Sequence, residues 1–176
     1  MGIKSNFANA GALILALVAV FDAGCAAGGP ETRLIGCRVA DLAARLGVQC
    51  AEWHESDVPG YEVACDPDRE VALFGLSGTL AVIRRGDKVA ALDFTVRKCT
   101  GARYEDLRRK VIEDYGIEEN ADRDVYAVLR AGVVHLKPED DGSARLVLTD
   151  EAYGRIYVEQ VLKEGLSNLS NGLRPH

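Results

Sequence analysis

Hydrophobic residues recur along the chain in two periods, and the longer period predicts the helices. Apolar side chains return every three or four positions over residues 33–47, which is the spacing of one helix face. The same spacing covers residues 104–115, where Gly116 supplies a stop, and residues 150–165. The pattern predicts two or three helices, the first of them short.

The shorter period, strict alternation, predicts strands. Leu92, Phe94 and Val96 alternate with polar residues, and the turn sequence Arg85-Gly86-Asp87 precedes them. The polar segment 49–70, which contains Pro59-Gly60, is expected to be irregular. The predicted strands are residues 78–84, 88–97, 125–130, 133–137 and 144–149.

The order of these elements predicts the fold class. A helix, a loop, two strands, a helix, three strands and a final helix form an α+β pattern. We expect an antiparallel sheet of about five strands with two or three helices packed on one face. Two strand-then-helix units also suggest an internal duplication, although no residue-level repeat connects them.

The first residues are typical of an export signal. Lys4 lies in a short polar segment, and residues 10–21 form an uncharged apolar run that is too short to cross a bilayer. Small residues follow it, which a buried helix of a cytosolic protein would not need. We predict a signal peptide at 1–26, a flexible linker at 27–32, one domain at 33–166 and a disordered tail at 167–176.

Two cleavage routes fit the end of this signal. Asp22-Ala23-Gly24-Cys25 resembles a bacterial lipobox, in which the cysteine is lipidated, but Asp22 stands where that motif has an apolar residue. Ordinary signal peptidase would instead cut before Ala27. The first route gives a lipoprotein anchored through Cys25, and the second gives a soluble exported protein.

Cysteine count agrees with export. Of five cysteines, Cys25 is lost or lipidated, so four remain, and an oxidising compartment would pair them. We expect disulfides Cys37–Cys50 and Cys65–Cys99. A zinc site built from Cys37, Cys50, His54 and Cys65 is the alternative, although its spacing matches no common zinc motif.

Other motifs have simpler interpretations than a chemical site. Ser77 is expected in a turn, and His54 on the surface. His135 is expected to be a partly exposed strand residue, although it could act as an acid or base. Asp66, Asp68 and Glu70 resemble a calcium loop without its glycine, and Arg85-Gly86-Asp87 spells an adhesion tripeptide that is also a good hairpin turn.

Composition narrows the function without specifying it. A net charge of −6 argues against nucleic-acid binding, and we assign no catalytic residue, metal or cofactor. We expect an exported bacterial envelope protein, periplasmic or secreted, that is a non-enzymatic binding or inhibitor module. Its partner would be another envelope protein or a cell-wall component, with membrane contact only through a lipid on Cys25. A structural or assembly lipoprotein and a small periplasmic hydrolase, with His54 or His135 as base, are the alternatives.

Overall fold

The computed structural model describes residues 34–48, 50, 52–119 and 122–172. The predicted signal peptide, the linker and Cys25 lie outside these residues. Among the described residues, no helix combines the length and hydrophobicity that a membrane-spanning segment requires. In chain order the elements are α1 Val39–Leu46, β1 His54–Glu55, β2 Glu62–Leu73, β3 Leu76–Arg85, β4 Lys88–Val96, α2 Ala102–Tyr115, β5 Val125–Leu129, β6 Gly132–Pro138, β7 Ala144–Thr149 and α3 Glu151–Gly172.

The strands form one antiparallel sheet in the order β1-β2-β3-β4-β7-β6-β5. The predicted α+β class and antiparallel pairing are confirmed, but the sheet has seven strands rather than about five. The difference lies in segment 49–70, because β1 and the first part of β2 form there. Between Cys65 and Glu70, β2 advances five residues while β3 advances two, from Ala81 to Thr79. This irregularity breaks the alternation that would have predicted a strand.

A second irregularity ties the centre of the sheet to the last helix. Ile83 pairs with Ala91 and Arg84 pairs with Val89, so Ala90 is the extra residue of a β-bulge. Its carbonyl oxygen accepts a 2.7 Å hydrogen bond from the backbone N–H of Asp150. The bulge therefore fixes the point at which β7 ends and α3 begins.

Helices cover both faces of the sheet, so the prediction of a single covered face is wrong. On the first face, Leu42 of α1 and Leu107 of α2 join a large apolar core with Leu92 and neighbouring strand residues. On the second face, Tyr153 of α3 packs in a smaller cluster with Ala91. Leu92 and Ala91 are adjacent in β4, and adjacent strand residues point to opposite faces.

The placement of α2 and α3 on opposite faces of the sheet also argues against an internal duplication. The unit β2-β3-β4-α2 is mirrored in the strand order by β5-β6-β7-α3, with β4 and β7 antiparallel at the centre. A two-fold axis that relates antiparallel neighbours is perpendicular to the sheet and would leave both helices on one face. Because α2 and α3 lie on opposite faces, no such rotation relates the two units.

The predicted disulfides are absent, and all four described cysteines are free thiols. Cys65 lies inside β2 opposite Ala81, and Ala81 in turn lies opposite Asp93 of β4. The two strand spacings from β2 to β4 separate Cα atoms by about 10 Å, beyond the roughly 7 Å that a disulfide spans. Cys99 follows β4, and its backbone N–H donates a hydrogen bond to the carbonyl oxygen of Gly142, on the side of β4 away from β2. In the other predicted pair, the thiol of Cys37 donates to the carbonyl of Leu34 at 2.8 Å.

The helix predictions are confirmed in position and corrected in length. Gly47 and Gly116 end α1 and α2 in the left-handed conformation. The Asp150 carboxylate accepts a 2.7 Å bond from the Tyr153 N–H and so caps the start of α3. The helix then continues past residue 165 to Gly172, so residues 167–172 of the predicted tail are helical.

Candidate binding surface

Strand β5 is an exposed edge of the sheet. It pairs with β6 on one side, and no other described strand lies on its second side. Tyr126 and Val128, opposite His135 and Val133, point to the second face and are 38% and 66% exposed. Edge strands are normally protected by charges, proline or bulges, and β5 (VYAVL) contains no charge and no proline. This edge is chemically open to pairing.

A groove of about 650 Å³ runs between β5, the β5–β6 turn and α3. Val128, Val133 and Val158 provide apolar walls, whereas the rim carries charges of both signs. Glu151 and Arg155 on that rim form an ion pair. The full lining is Val128, Leu129, Arg130, Gly132, Val133, Glu151, Gly154, Arg155, Val158 and Glu159.

Two glycines of the groove lining bring α3 close to the sheet. Gly132 has φ +147°, and a Cβ there would lie 1.8 Å from the carbonyl oxygen of Thr149. A Cβ on Gly154 would lie 2.7 Å from the Thr149 hydroxyl oxygen. That oxygen accepts a 2.9 Å bond from the Val133 N–H. The close approach of α3 to the sheet therefore requires both glycines.

His135 lies behind the exposed edge, between two tyrosines. Its Nδ1 shares a 2.7 Å hydrogen bond with the Tyr157 hydroxyl, and the Tyr126 ring meets it edge-on with centroids 5.0 Å apart. The residue is 8% exposed, so the prediction of a partly exposed histidine is wrong. Burial lowers the pKa of His135, with Lys137 and Arg145 acting in the same direction and Asp124 and Glu139 opposing it.

An ion pair between two strands lies on the same face of the sheet as His135. The Arg145 guanidinium contacts both carboxylate oxygens of Asp93, with Nε at 2.9 and 3.0 Å. These hydrogen bonds raise the pKa of Arg145. Because Asp93 is in β4 and Arg145 is in β7, the pair crosses the central ladder.

The start of β5 is held from the first face. Tyr104 of α2 donates a 2.6 Å hydrogen bond from its hydroxyl to the carbonyl of Arg123. Burial, and secondarily the Asp124 carboxylate, raises the pKa of Tyr104 to about 12, so this hydroxyl remains a donor at neutral pH. The contact positions Asp124 and the first residue of β5 relative to the core.

The other residues that the sequence suggested as site residues lie elsewhere and do not come together in one site. In the described part of the chain, no group of three or more histidine, cysteine, aspartate or glutamate side chains is placed to hold a metal ion, so the zinc alternative is not assembled. His54 is exposed in β1, as predicted. Ser77 pairs with Ala72 inside β3, so its assignment to a turn is wrong.

Two further motifs occupy exposed bends. Asp66 accepts a 3.3 Å bond from the Asp68 N–H within the β2 irregularity, which makes a local turn. Gly86, at the centre of the adhesion-like tripeptide, has φ +62° in the β3–β4 turn, as its hairpin interpretation requires.

No family model matches this chain, and no curated protein or solved structure is significantly similar to it.

Sequence reasoning missed Tyr126 and Val128 as surface residues. β5 is a run of five apolar residues, a pattern that indicates a strand buried on both faces. Its edge position follows from the strand order, which a single sequence does not reveal.

Proposed function

We propose that this chain is a non-enzymatic binding module of the bacterial envelope that recognises an extended protein segment at β5 and the adjoining groove. The observation that carries the proposal is the open edge of β5, with Tyr126 and Val128 exposed beside an apolar groove. In this mode of recognition, which is called β-strand addition, an extended partner segment forms hydrogen bonds with the free edge of the sheet. Its alternate side chains then reach the groove.

The chemistry of the surface suits a polypeptide better than a small charged ligand. The rim offers Arg130 and Arg155 together with Glu151 and Glu159, so it has no dominant sign. Sequence-tolerant affinity would come from the backbone of β5, and selectivity from the apolar walls around Val128 and Val158. The hydrolase alternative gains no support from His135, because the ring is buried between Tyr126 and Tyr157.

The envelope part of the proposal rests on the sequence of residues 1–26. Intact-mass analysis of the native protein tests it, because a mature N-terminus between Gly24 and Gly28 is expected after export. If Cys25 carries lipid, Cys25→Ser should move the protein from the membrane to the soluble fraction. An unprocessed chain beginning at Met1 in the cytosol would contradict export.

Binding at β5 is tested by photo-crosslinking in the cells that make the protein. A benzophenone amino acid at Val128 should capture a protein, whereas the same group at the exposed Arg109 of α2 should not. Val158→Trp, which fills the groove, should reduce capture from position 128. Equal capture from positions 128 and 109, or none from either, would refute the proposal.

A further inference from the structure

We propose that the strand bound by β5 is β5 of a second copy, joined antiparallel about a two-fold axis through Ala127. This inference rests on the proposed function, because it names the occupant of the same edge. The resulting dimer would have a continuous sheet made of two seven-stranded halves. An isologous contact of this kind requires a surface that is complementary to itself.

The sequence of β5 has that property. An axis through Ala127 places Tyr126 of each copy opposite Val128 of the other, and Val125 opposite Leu129. Tyr126 and Val128 both point to the second face and are both exposed, so each would cover the other. Aromatic and β-branched residues are favourable partners across antiparallel strands.

Charges at the ends of the strand match in the same register. One step beyond β5, Asp124 lies opposite Arg130 of the second copy, and the symmetry repeats this contact at the other end. Both residues are exposed. Opposite charges facing each other across two strands are favourable, and here they also set the direction of pairing.

Other registers lose these matches. A one-residue slip would set Tyr126 opposite Ala127, whose side chain points to the other face of the sheet. An axis through Tyr126 would set Asp124 opposite Val128, and an axis through Val128 would set Tyr126 opposite Arg130. Ala127 is therefore the centre that pairs apolar with apolar and charge with opposite charge.

The second copy would also complete the groove. Val128 lines one side of it, and the second copy's strand would lie directly beside that residue. Tyr126 of the second copy, as the cross-strand neighbour of Val128, would extend the apolar wall. Each groove would then contain residues from both copies.

Cysteine linking tests the register. Tyr126→Cys and Val128→Cys are made separately in a Cys65→Ser background, which removes the exposed native thiol. Mixed and oxidised, they should form a 126–128 disulfide, because directly opposite Cα atoms lie about 5 Å apart. Each variant alone should link little, because its own cysteines are diagonal, at roughly 7–8 Å. Linking in the single variants that equals linking in the mixture would overturn the register.

Light scattering of the purified mature chain tests the dimer itself. The wild type should have twice the mass of one chain, and Val128→Lys should raise the dimer dissociation constant by at least about tenfold. His54→Lys, which adds the same charge at the opposite edge, should remain dimeric. Circular dichroism checks that both variants fold.

The two proposals fail in different ways. A monomeric wild type whose position 128 still captures another envelope protein would overturn the dimer and leave the binding module in place. A dimer that persists unchanged in Val128→Lys would also overturn the β5 contact. A dimer lost in Val128→Lys, together with the 126–128 link, supports it.

Discussion

Nδ1 of His135 lies 2.7 Å from the hydroxyl oxygen of Tyr157, and this contact joins strand β6 to helix α3. It lies directly behind Tyr126 of the proposed binding edge. The buried imidazole therefore connects the stability of α3 docking to the protonation of one residue.

Acidification should weaken the fold through His135. Because burial lowers its pKa in the folded protein below the value of about 6.5 for an unfolded chain, the unfolded state binds the proton more readily. The free energy of unfolding should consequently fall as the pH drops below about 6.5 and level off below the folded pKa. Urea unfolding of wild type and His135→Gln between pH 5 and 8 measures this, and an equal slope in both would contradict the assignment.

Loss of the Asp93–Arg145 pair should destabilise the centre of the sheet. Asp93→Asn removes the charge that faces a guanidinium 40% exposed, and we expect a loss of about 1 kcal/mol. Asp106→Asn, in the exposed pair with Arg109, is the matched control and should cost less than about 0.5 kcal/mol. Denaturant unfolding compares them, and equal losses would show that the pair across β4 and β7 has no special role.

Alanine substitutions at Gly132 and Gly86 should distinguish the cost of disrupting close packing from the cost of backbone strain. Both have positive φ, but only Gly132 has a backbone atom where a Cβ would be placed, since nothing lies within 4 Å of the Gly86 position. Gly86→Ala should cost about 1 kcal/mol from conformation alone. Gly132→Ala should cost more than about 2 kcal/mol because α3 and β7 must move. Similar midpoints for the two variants would refute this packing.

Thiol reactivity should follow burial. Cys65 is exposed and should react with a disulfide reagent in the native protein, whereas Cys99, 1% exposed, should react only after unfolding. Desolvation, and then Asp66 and Asp93, raises the pKa of Cys65, so its rate should increase at a higher pH than that of a free thiol. Cys65→Ser should remove the fast reaction. Absence of a fast reaction in the wild type would revive a disulfide at Cys65.

Much of the fold follows from local patterns in the sequence. Apolar faces or short apolar runs that end at a glycine or a polar turn located α1, α2, α3 and all of β3 to β7. The strand β2 was missed because Asp66 to Arg69 interrupt its alternation within an irregularity. Propensity and periodicity do not describe a strand that bends.

The binding surface could not be predicted from local patterns, because its position depends on the order of the strands in the sheet. Local pattern could not show that β7 inserts beside β4 and leaves β5 at the edge. For the same reason Cys65 and Cys99 were expected to meet, since a hairpin that began at residue 78 would have left Cys65 at its open end. The extra strand β2 instead places Cys65 two strands away from β4.

The central β4–β7 ladder has a consequence for how the chain assembles during synthesis. Every other ladder joins strands that are neighbours in sequence, so β1 to β4 can pair in the order in which the ribosome delivers them. The seam between the halves can close only when β7 is available to pair with β4. Until then the nascent first half presents its most apolar strand, with Leu92 and Phe94, to whatever chaperone or translocation machinery surrounds it.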